Sequence, residues 1–429
     1  MNFNKLFNLA KEKGIEDIQV LYSTNKSTVV SFQDKEMTDF TINSNNKLSV
    51  KGLYNGKMGY YSTEVVSEKE FDTIVDTIIN SAKYITSEDE EFIYEGDKHY
   101  KKIPGEFNKD ILNIPTKDKI ELTKSISLGL LEKEGVVHAQ AEYFEEESEV
   151  LMVNSKGLKI KEHSNGLGAY AYAIVSNGND TRVGSEVYTT SNFNEFDKEN
   201  LINSAYEKAF SSLGAKPVKS GKYDIVFSEG ATNTLVNVFN GILSAERVQK
   251  NLSILRGRVG EKIASSKVTL VDDPFLKGSQ RSRSFDSDGV ATKYKELIKN
   301  GVLQGFIYSL KTAKKDNTVS TGNADGFVNC YIKPGKKTKE ELIKSLKNGL
   351  YIESLQGAHA GANPMSCDFS LQATGYKVEN GEIVSPVALI TVAGNFLEVL
   401  ANTTDVSNKL KNYIESPCIK VKHMDVSGI

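Results

Sequence analysis

The apolar positions of the first half of the chain repeat one pattern twice. Leu6, Leu9 and Ala10 stand at helical spacing and predict a helix over 4–13, stopped by Gly14. Runs rich in β-branched and aromatic residues predict strands at 18–22, 27–32, 48–54 and 58–62. The last two flank Asn55-Gly56, a pair that tolerates the positive φ of a type I′ hairpin turn. Phe71, Ile74, Val75, Ile78, Ile79 and Ala82 then mark one face of a helix over 67–84. The pattern restarts with a helix at 116–132 and strands at 136–144, 149–153, 158–163 and 167–175. It continues with a second hairpin at Asn177-Gly178 and a helix at 197–211. Asn203-Ser204-Ala205 echoes Asn80-Ser81-Ala82, which reads as an internal duplication.

Between the copies, residues 85–115 lose periodicity. They carry the acids Glu88, Asp89, Glu90 and Glu91 with Pro104 and Pro115, and read as a connecting segment. Pro217 and Gly221 mark a second junction before a strand at 222–228. Beyond it, strands are expected at 268–271, 327–332, 368–378 and 387–392, and helices at 231–249, 339–349 and 394–400. Thr338 with Glu341 has the spacing of a capping box. The predicted class is α+β: an N-terminal half of duplicated helix and antiparallel-strand units, then a C-terminal half largely of antiparallel β with flanking helices. Three domains are expected, 1–105, 106–215 and 216–429, in a chain of 429 residues that is long enough for several cores.

Charge and cysteine content narrow the function classes. A formal net charge of -3 offers no global basic field, so a nucleic-acid partner is not expected. No apolar run is long enough for a membrane span, and the N-terminus has no leader pattern, which makes the cytoplasm the expected location. Cys330, Cys367 and Cys418 are widely spaced and form no CxxC pair, in keeping with a reducing compartment.

Candidate chemistry is sparse. His99, His138, His163, His359 and His423 form no pair at metal-ligand spacing, and Glu162 and His163, adjacent in a predicted strand, must point to opposite faces. No dinucleotide fingerprint, P-loop or nucleophile elbow is present. Arg281 and Arg283, in Arg-Ser-Arg-Ser-Phe-Asp286, could hold an anion or a peptide carboxylate. They could equally belong to a salt-bridged turn with Asp272, Asp273, Asp286 and Asp288. Thr321-Gly-Asn323 either sets backbone amides in a cleft or merely turns the chain. His359 and Asn363 share a glycine-rich loop able to approach a ligand. The candidate substrate cleft is therefore Arg281, Arg283, Asp286, Thr321, Asn323, His359 and Asn363, with no catalytic residue and no metal ligand assigned.

The segment from Val271 to Asn323 runs Val-Asp-Asp-Pro-Phe-Leu-Lys-Gly, Ser-Phe-Asp-Ser-Asp-Gly, Asn300-Gly and Ser320-Thr-Gly-Asn. With Gly375-Tyr, Glu379-Asn-Gly-Glu-Ile and Ala393-Gly-Asn after it, this order resembles the TldD/PmbA family. One branch of that family carries His-Glu-x-x-x-His on the helix after the 223–228 strand and completes a zinc site with a later cysteine. Here that helix starts Glu229-Gly-Ala-Thr-Asn-Thr-Leu-Val-Asn and has no histidine, and no cysteine falls within 403–413. The chain is thus similar to the PmbA (TldE) branch, which implies a subunit without its own zinc. The expected partner is a TldD-like zinc peptidase or a second copy of the chain, and the expected ligand an unfolded or precursor peptide. An active peptidase with an unorthodox site, and a regulator of DNA gyrase without proteolytic activity, are the alternatives.

Overall fold

The computed structural model describes residues 1–86, 89–103, 105–411 and 416–429; Glu88 and Pro104 of the connecting segment, and Tyr413, lie outside them. The chain begins with α1 (Phe3–Glu12), β1 (Asp17–Gln33), β2 (Glu36–Tyr54), β3 (Lys57–Thr63) and α2 (Phe71–Lys83). A second unit follows with α3 (Thr116–Leu131), β4 (Val136–Asn154), β5 (Lys159–Ser176), β6 (Thr181–Thr190) and α4 (Lys198–Phe210). All six strands form one antiparallel sheet in the order β3-β2-β1-β4-β5-β6, so the two units meet where β1 pairs β4 from Gln19↔Asn154 to Gln33↔Gln140.

Several expected strand pairs are single long strands. The polar stretches that separated them, such as Ser23–Lys26 and Glu145–Ser148, stay in the ladder because neighbouring strands on both sides satisfy their backbone. The sequence also shortened β2, whose first twelve residues, 36–47, are exposed but for Thr41 and lack the alternation of a half-buried strand. Asn55 and Gly56 have φ of 50° and 70°, as the two-residue turn requires. The second hairpin instead uses four residues, with Asn177 Oδ1 accepting from the N–H groups of Asn179 and Asp180.

One face of the sheet carries the helices. Ile18, Val20, Leu48 and Val50 pack on Ile74, Val75 and Ile78 of α2 and Leu6 of α1. Ala139, Ala141, Ala169, Ala171 and Ala173 pack on α3 and α4, where small side chains let the helices lie close.

The C-terminal half opens with β7 (Gly221–Phe227), α5 (Glu229–Phe239) and α6 (Ala245–Gln249). The single helix expected over 231–249 is therefore divided by a 3-10 turn at Asn240–Leu243, where Gly241 and Ser244 weaken the helix. Next come β8 (Leu270–Asp272), β9 (Lys295–Lys299), β10 (Val302–Leu303), α7 (Leu310–Lys315) and β11 (Cys330–Ile332). These strands make a small sheet in the order β10-β9-β8-β11. The chain continues with α8 (Lys339–Leu346), β12 (Gly349–Gln356), α9 (Ala358–Gly361), β13 (Ala362–Asn363), β14 (Asp368–Glu379) and β15 (Glu382–Asn395). It ends with α10 (Phe396–Ala401), β16 (Thr403–Val406) and β17 (Ile419–Ser427).

A third sheet has seven strands: β12-β7-β17-β15-β14 in order, with β13 on β14 and β16 on β17, and β14 pairs back onto β12, so the first five close on themselves. Their alternation separates two cores. Ile225, Phe227, Leu350 and Ile352 join Leu235 and Phe239 of α5, while Val226, Tyr351, Val378 and Cys418 turn the other way onto Leu342 and Leu346 of α8. The capping box of α8 is formed, with Thr338 Oγ1 accepting from Glu341 N at 3.2 Å and Glu341 Oε2 accepting from Thr338 N at 2.7 Å.

Candidate functional site

The turn around Asp286 is pressed against the face of the six-stranded sheet that carries no helix. Gln19 Nε2 of β1 donates to Ser287 O at 3.0 Å, Lys51 Nζ of β2 pairs with Asp288 Oδ1 at 2.7 Å, and Ser284 N donates to Glu162 Oε1 of β5 at 2.5 Å. The connecting segment reaches the same turn, with Ala291 N donating to Asp97 Oδ2 at 2.8 Å and Tyr100 Oη donating to Gly289 O at 2.7 Å. The segment whose turns and charges stood out in the sequence is thus the seam between the two halves.

Two grooves flank this seam. The first, of about 480 Å³, has Arg281, Arg283 and Asp325 on one wall and Glu106, Glu146 and Glu162 on the other. Arg283 Nη1 lies 3.6 Å from Asp325 Oδ2, and its buried Nε has no hydrogen-bond partner among the described residues. Burial pushes the Glu162 carboxyl above its ordinary range, opposed by its bonds to Ser284. Burial raises Glu106 as well, reinforced by the negative charge of Glu162. The second groove, of about 590 Å³, lies over β1–β3 and is lined by Lys51, Tyr60, Glu91, Phe92, Asp288 and Lys311.

The seven predicted residues separate into three groups. Arg281 and Arg283 line the first groove. Asp286, Thr321 and Asn323 lie within the scaffold beneath it. Asp286 is fully buried and accepts from the N–H groups of Asp288, Val290 and Ala324 at 3.0, 3.0 and 2.9 Å. Its carboxyl is pushed up to about 6, chiefly by burial and further by the charges of Asp288 and Asp325. Thr321 Oγ1 donates to Asn323 Oδ1 at 2.8 Å, and Asn323 Nδ2 donates to Asp272 Oδ2 at 2.8 Å. His359 and Asn363 are exposed on α9 and β13 and line neither groove. Asn363 Oδ1 instead accepts from Met365 N at 3.0 Å and so shapes its own turn.

The aspartates of this segment pair differently from their order in sequence. Asp272 meets Lys295, Asp288 meets Lys51 and Arg283 meets Asp325. Sequence reasoning passed over Glu162, Glu106 and Lys51 as site residues; an acid in a strand gives no local sign of which element will cover it. Glu162 and His163 do diverge, the histidine Nε2 lying 2.8 Å from Glu147 Oε1 while Glu162 meets the seam.

A zinc site on α5 does not fit the residues present. Ala231, Leu235, Val236 and Phe239 are buried in the core, Asn233 is half-buried and Asn237 exposed. Amide oxygens are poor substitutes for imidazole at a zinc ion. Among the described residues, no three His, Cys, Asp or Glu side chains converge as a metal centre needs. Cys418 is fully buried, and burial drives its thiol well above the usual range.

The architecture is that of the PmbA/TldA metallopeptidases: the models of their domain 1, central domain and C-terminal domain match residues 19–83, 109–213 and 220–428. The chain belongs to the TldD/PmbA family. A metalloprotease from Methanothermobacter thermautotrophicus is 31% identical over 70% of this chain and 68% of its own length. A metalloprotease PmbA homolog from Haemophilus influenzae is 24% identical over 96% of this chain and 92% of its own. A solved structure of a candidate modulator of a DNA gyrase from Thermotoga maritima is 31% identical, covers 99% of both chains and has a TM-score of 0.92. TldE from Thermococcus kodakarensis, 24% identical over 99% of this chain and 100% of its own, has a TM-score of 0.88 and shares the fold. Among the described residues, no helix is long and apolar enough to cross a membrane.

Proposed function

We propose that this chain is a zinc-free, PmbA/TldE-like subunit of a cytoplasmic TldD-type metallopeptidase that degrades unfolded peptides or trims precursor peptides. The observation that carries the reading is the helix α5, which has no histidine and so offers no imidazole to a zinc ion. The chain's contribution is then to receive and orient peptide. The first groove suits such a ligand, because Arg281 and Arg283 can take carboxylate or carbonyl oxygens while Glu106 and Glu146 face them across the gap. Zinc, the water it activates and the general base come from the partner subunit.

The test is reconstitution. The purified chain is assayed for zinc and for cleavage of casein-derived peptides, alone and with a TldD-type subunit that bears the His-Glu-x-x-x-His helix. Far less than one zinc per chain, no cleavage alone, and cleavage that this chain enhances in the mixture are expected. One zinc per chain together with cleavage by the isolated chain overturns the proposal.

A further inference from the structure

Strand register sets the floor of the first groove. Glu146, Ser148 and Val150 of β4 stand opposite Gly166, Ser164 and Glu162 of β5, so all six lie on one face of the sheet and line the groove. The carboxylates stand at the two ends of this strip, with the small side chains of Ser148 and Ser164 between them. The connecting segment adds Glu106, whose backbone O accepts from Asn165 N at 2.8 Å. Arg281 and Arg283 enter from the other half of the chain.

Charges next to the groove are matched, and those inside it are not. On β4, Glu145 pairs with Lys119, while Glu147 takes Lys26 at 3.3 Å and His163 at 2.8 Å. Glu146 and Arg281 are exposed, so water serves them. Glu106, Glu162 and Arg283 are half-buried and are the groups that a ligand must satisfy. Among the described residues neither Glu106 nor Glu162 has an ion-pair partner, and Arg283, at 3.6 Å from Asp325, attracts Glu162 only through space. Acid and guanidinium thus line one cavity without meeting. Burial holds both carboxyls above their ordinary range, and a cation between them would bring both down.

We infer that this groove reads the two free ends of short peptides, with the α-carboxylate on Arg283 and the α-ammonium between Glu162 and Glu106. A ligand carrying both signs gives each wall its counter-charge in one step, through charge-assisted hydrogen bonds. Among the described residues no three acids converge as a divalent cation needs. An ammonium has three donors that point apart and can bond to separated carboxylates. A cavity of about 480 Å³ is of small-ligand size, which suits a short peptide better than a long unfolded chain. The inference rests on the reading that this groove receives peptide, but it needs neither zinc nor a partner subunit.

Isothermal titration calorimetry on the isolated full chain at neutral pH tests it, with trialanine, N-acetyl-trialanine and trialanine amide as probes. Trialanine is expected to bind, and each cap to weaken binding by about tenfold or more, because each removes one charged contact. Two variants separate recognition from folding. Glu162→Gln keeps an oxygen for Ser284 N and should erase the penalty of the acetyl cap while leaving that of the amide. Arg283→Gln should do the reverse. Free and capped peptides that bind equally, a chain that binds none of the three, or variants that change both penalties alike overturn the inference. Cleavage by the reconstituted pair is a separate readout, so the chain can fail either test and pass the other.

Discussion

Asp272 and Lys295 form an ion pair inside the small sheet, Oδ2 to Nζ at 3.2 Å, with no solvent exposure of the aspartate side chain and 13% exposure of the lysine. The other aspartate oxygen accepts from Val328 N at 2.8 Å and Asn329 N at 3.1 Å, so the carboxylate ties β8 to β9 and to the strand entry at β11. Burial lowers the Lys295 ammonium from its ordinary value, against the pull of Asp272. Asp272→Asn leaves that ammonium buried without a counter-charge and is expected to destabilise the chain by about 3–5 kcal/mol. Urea denaturation checks this; the double variant Asp272→Asn with Lys295→Met should recover part of the loss.

Asp286 gives a pH dependence of definite sign. Its folded-state value, about 6, stands above the ordinary 3.8, so the native chain holds an extra proton between those limits. Its contribution is fully present below about pH 4 and is lost as pH rises through about 6. The shift corresponds to roughly 3 kcal/mol. The unfolding free energy of the wild type, measured from pH 4 to pH 7, should therefore fall relative to that of Asp286→Asn, whose amide stays neutral throughout. The two lie closest in charge state at the acid end, and the difference shifts in the variant's favour toward neutrality. Parallel curves would remove this account.

Two glycines let helices touch the sheet. A Cβ on Gly59 of β3 would lie 2.0 Å from Ile78 O of α2, and one on Gly184 of β6 would lie 2.1 Å from Ala205 O of α4. The same device thus serves both units. Gly59→Ala and Gly184→Ala must displace helix backbone, and each should cost about 1–3 kcal/mol, read as a lower midpoint in thermal or urea unfolding.

The three thiols should be silent in the folded chain. Cys330, Cys367 and Cys418 are buried, and burial raises each thiol, Cys367 to about 11. Ellman's reagent at neutral pH is expected to titrate none of them until denaturant is added, when all three react.

The first groove can be examined through its cationic wall. If Arg281 and Arg283 contact peptide, replacing both by Ala should raise KM for casein-derived peptides in the reconstituted pair by about tenfold or more, with zinc content unchanged. Equal KM values for the variant and the wild type would move peptide recognition away from this groove.

Much of the fold was legible residue by residue. Phe71 to Ala82 and Thr338 with Glu341 mark helices through contacts made within a few residues, and Asn55-Gly56 fixes its hairpin through φ alone. Strand lengths were harder. Ser23–Lys26 and residues 36–47 are strand because β1, β2 and β4 pair there, a non-local cause that leaves no hydrophobic alternation. The candidate site was legible only in part. Arg281 and Arg283 were found from composition and spacing, but Glu106 and Glu162 join them from the other half of the chain.

The sequence by itself determined the α+β class, the duplicated first half, the family resemblance and the lack of histidine on α5, since each depends on residue identity or short-range periodicity. Only the tertiary structure decided that Asp272 meets Lys295, that Asp288 meets Lys51, that Asp286 is a buried acceptor of backbone N–H groups, and that β3 pairs only with Leu48–Tyr54 of β2 among the described residues. The Asp288–Lys51 pair joins residues from the two halves of the chain. Charge and size make many such pairings possible, and the packing of the sheet against the Asp286 turn selects one.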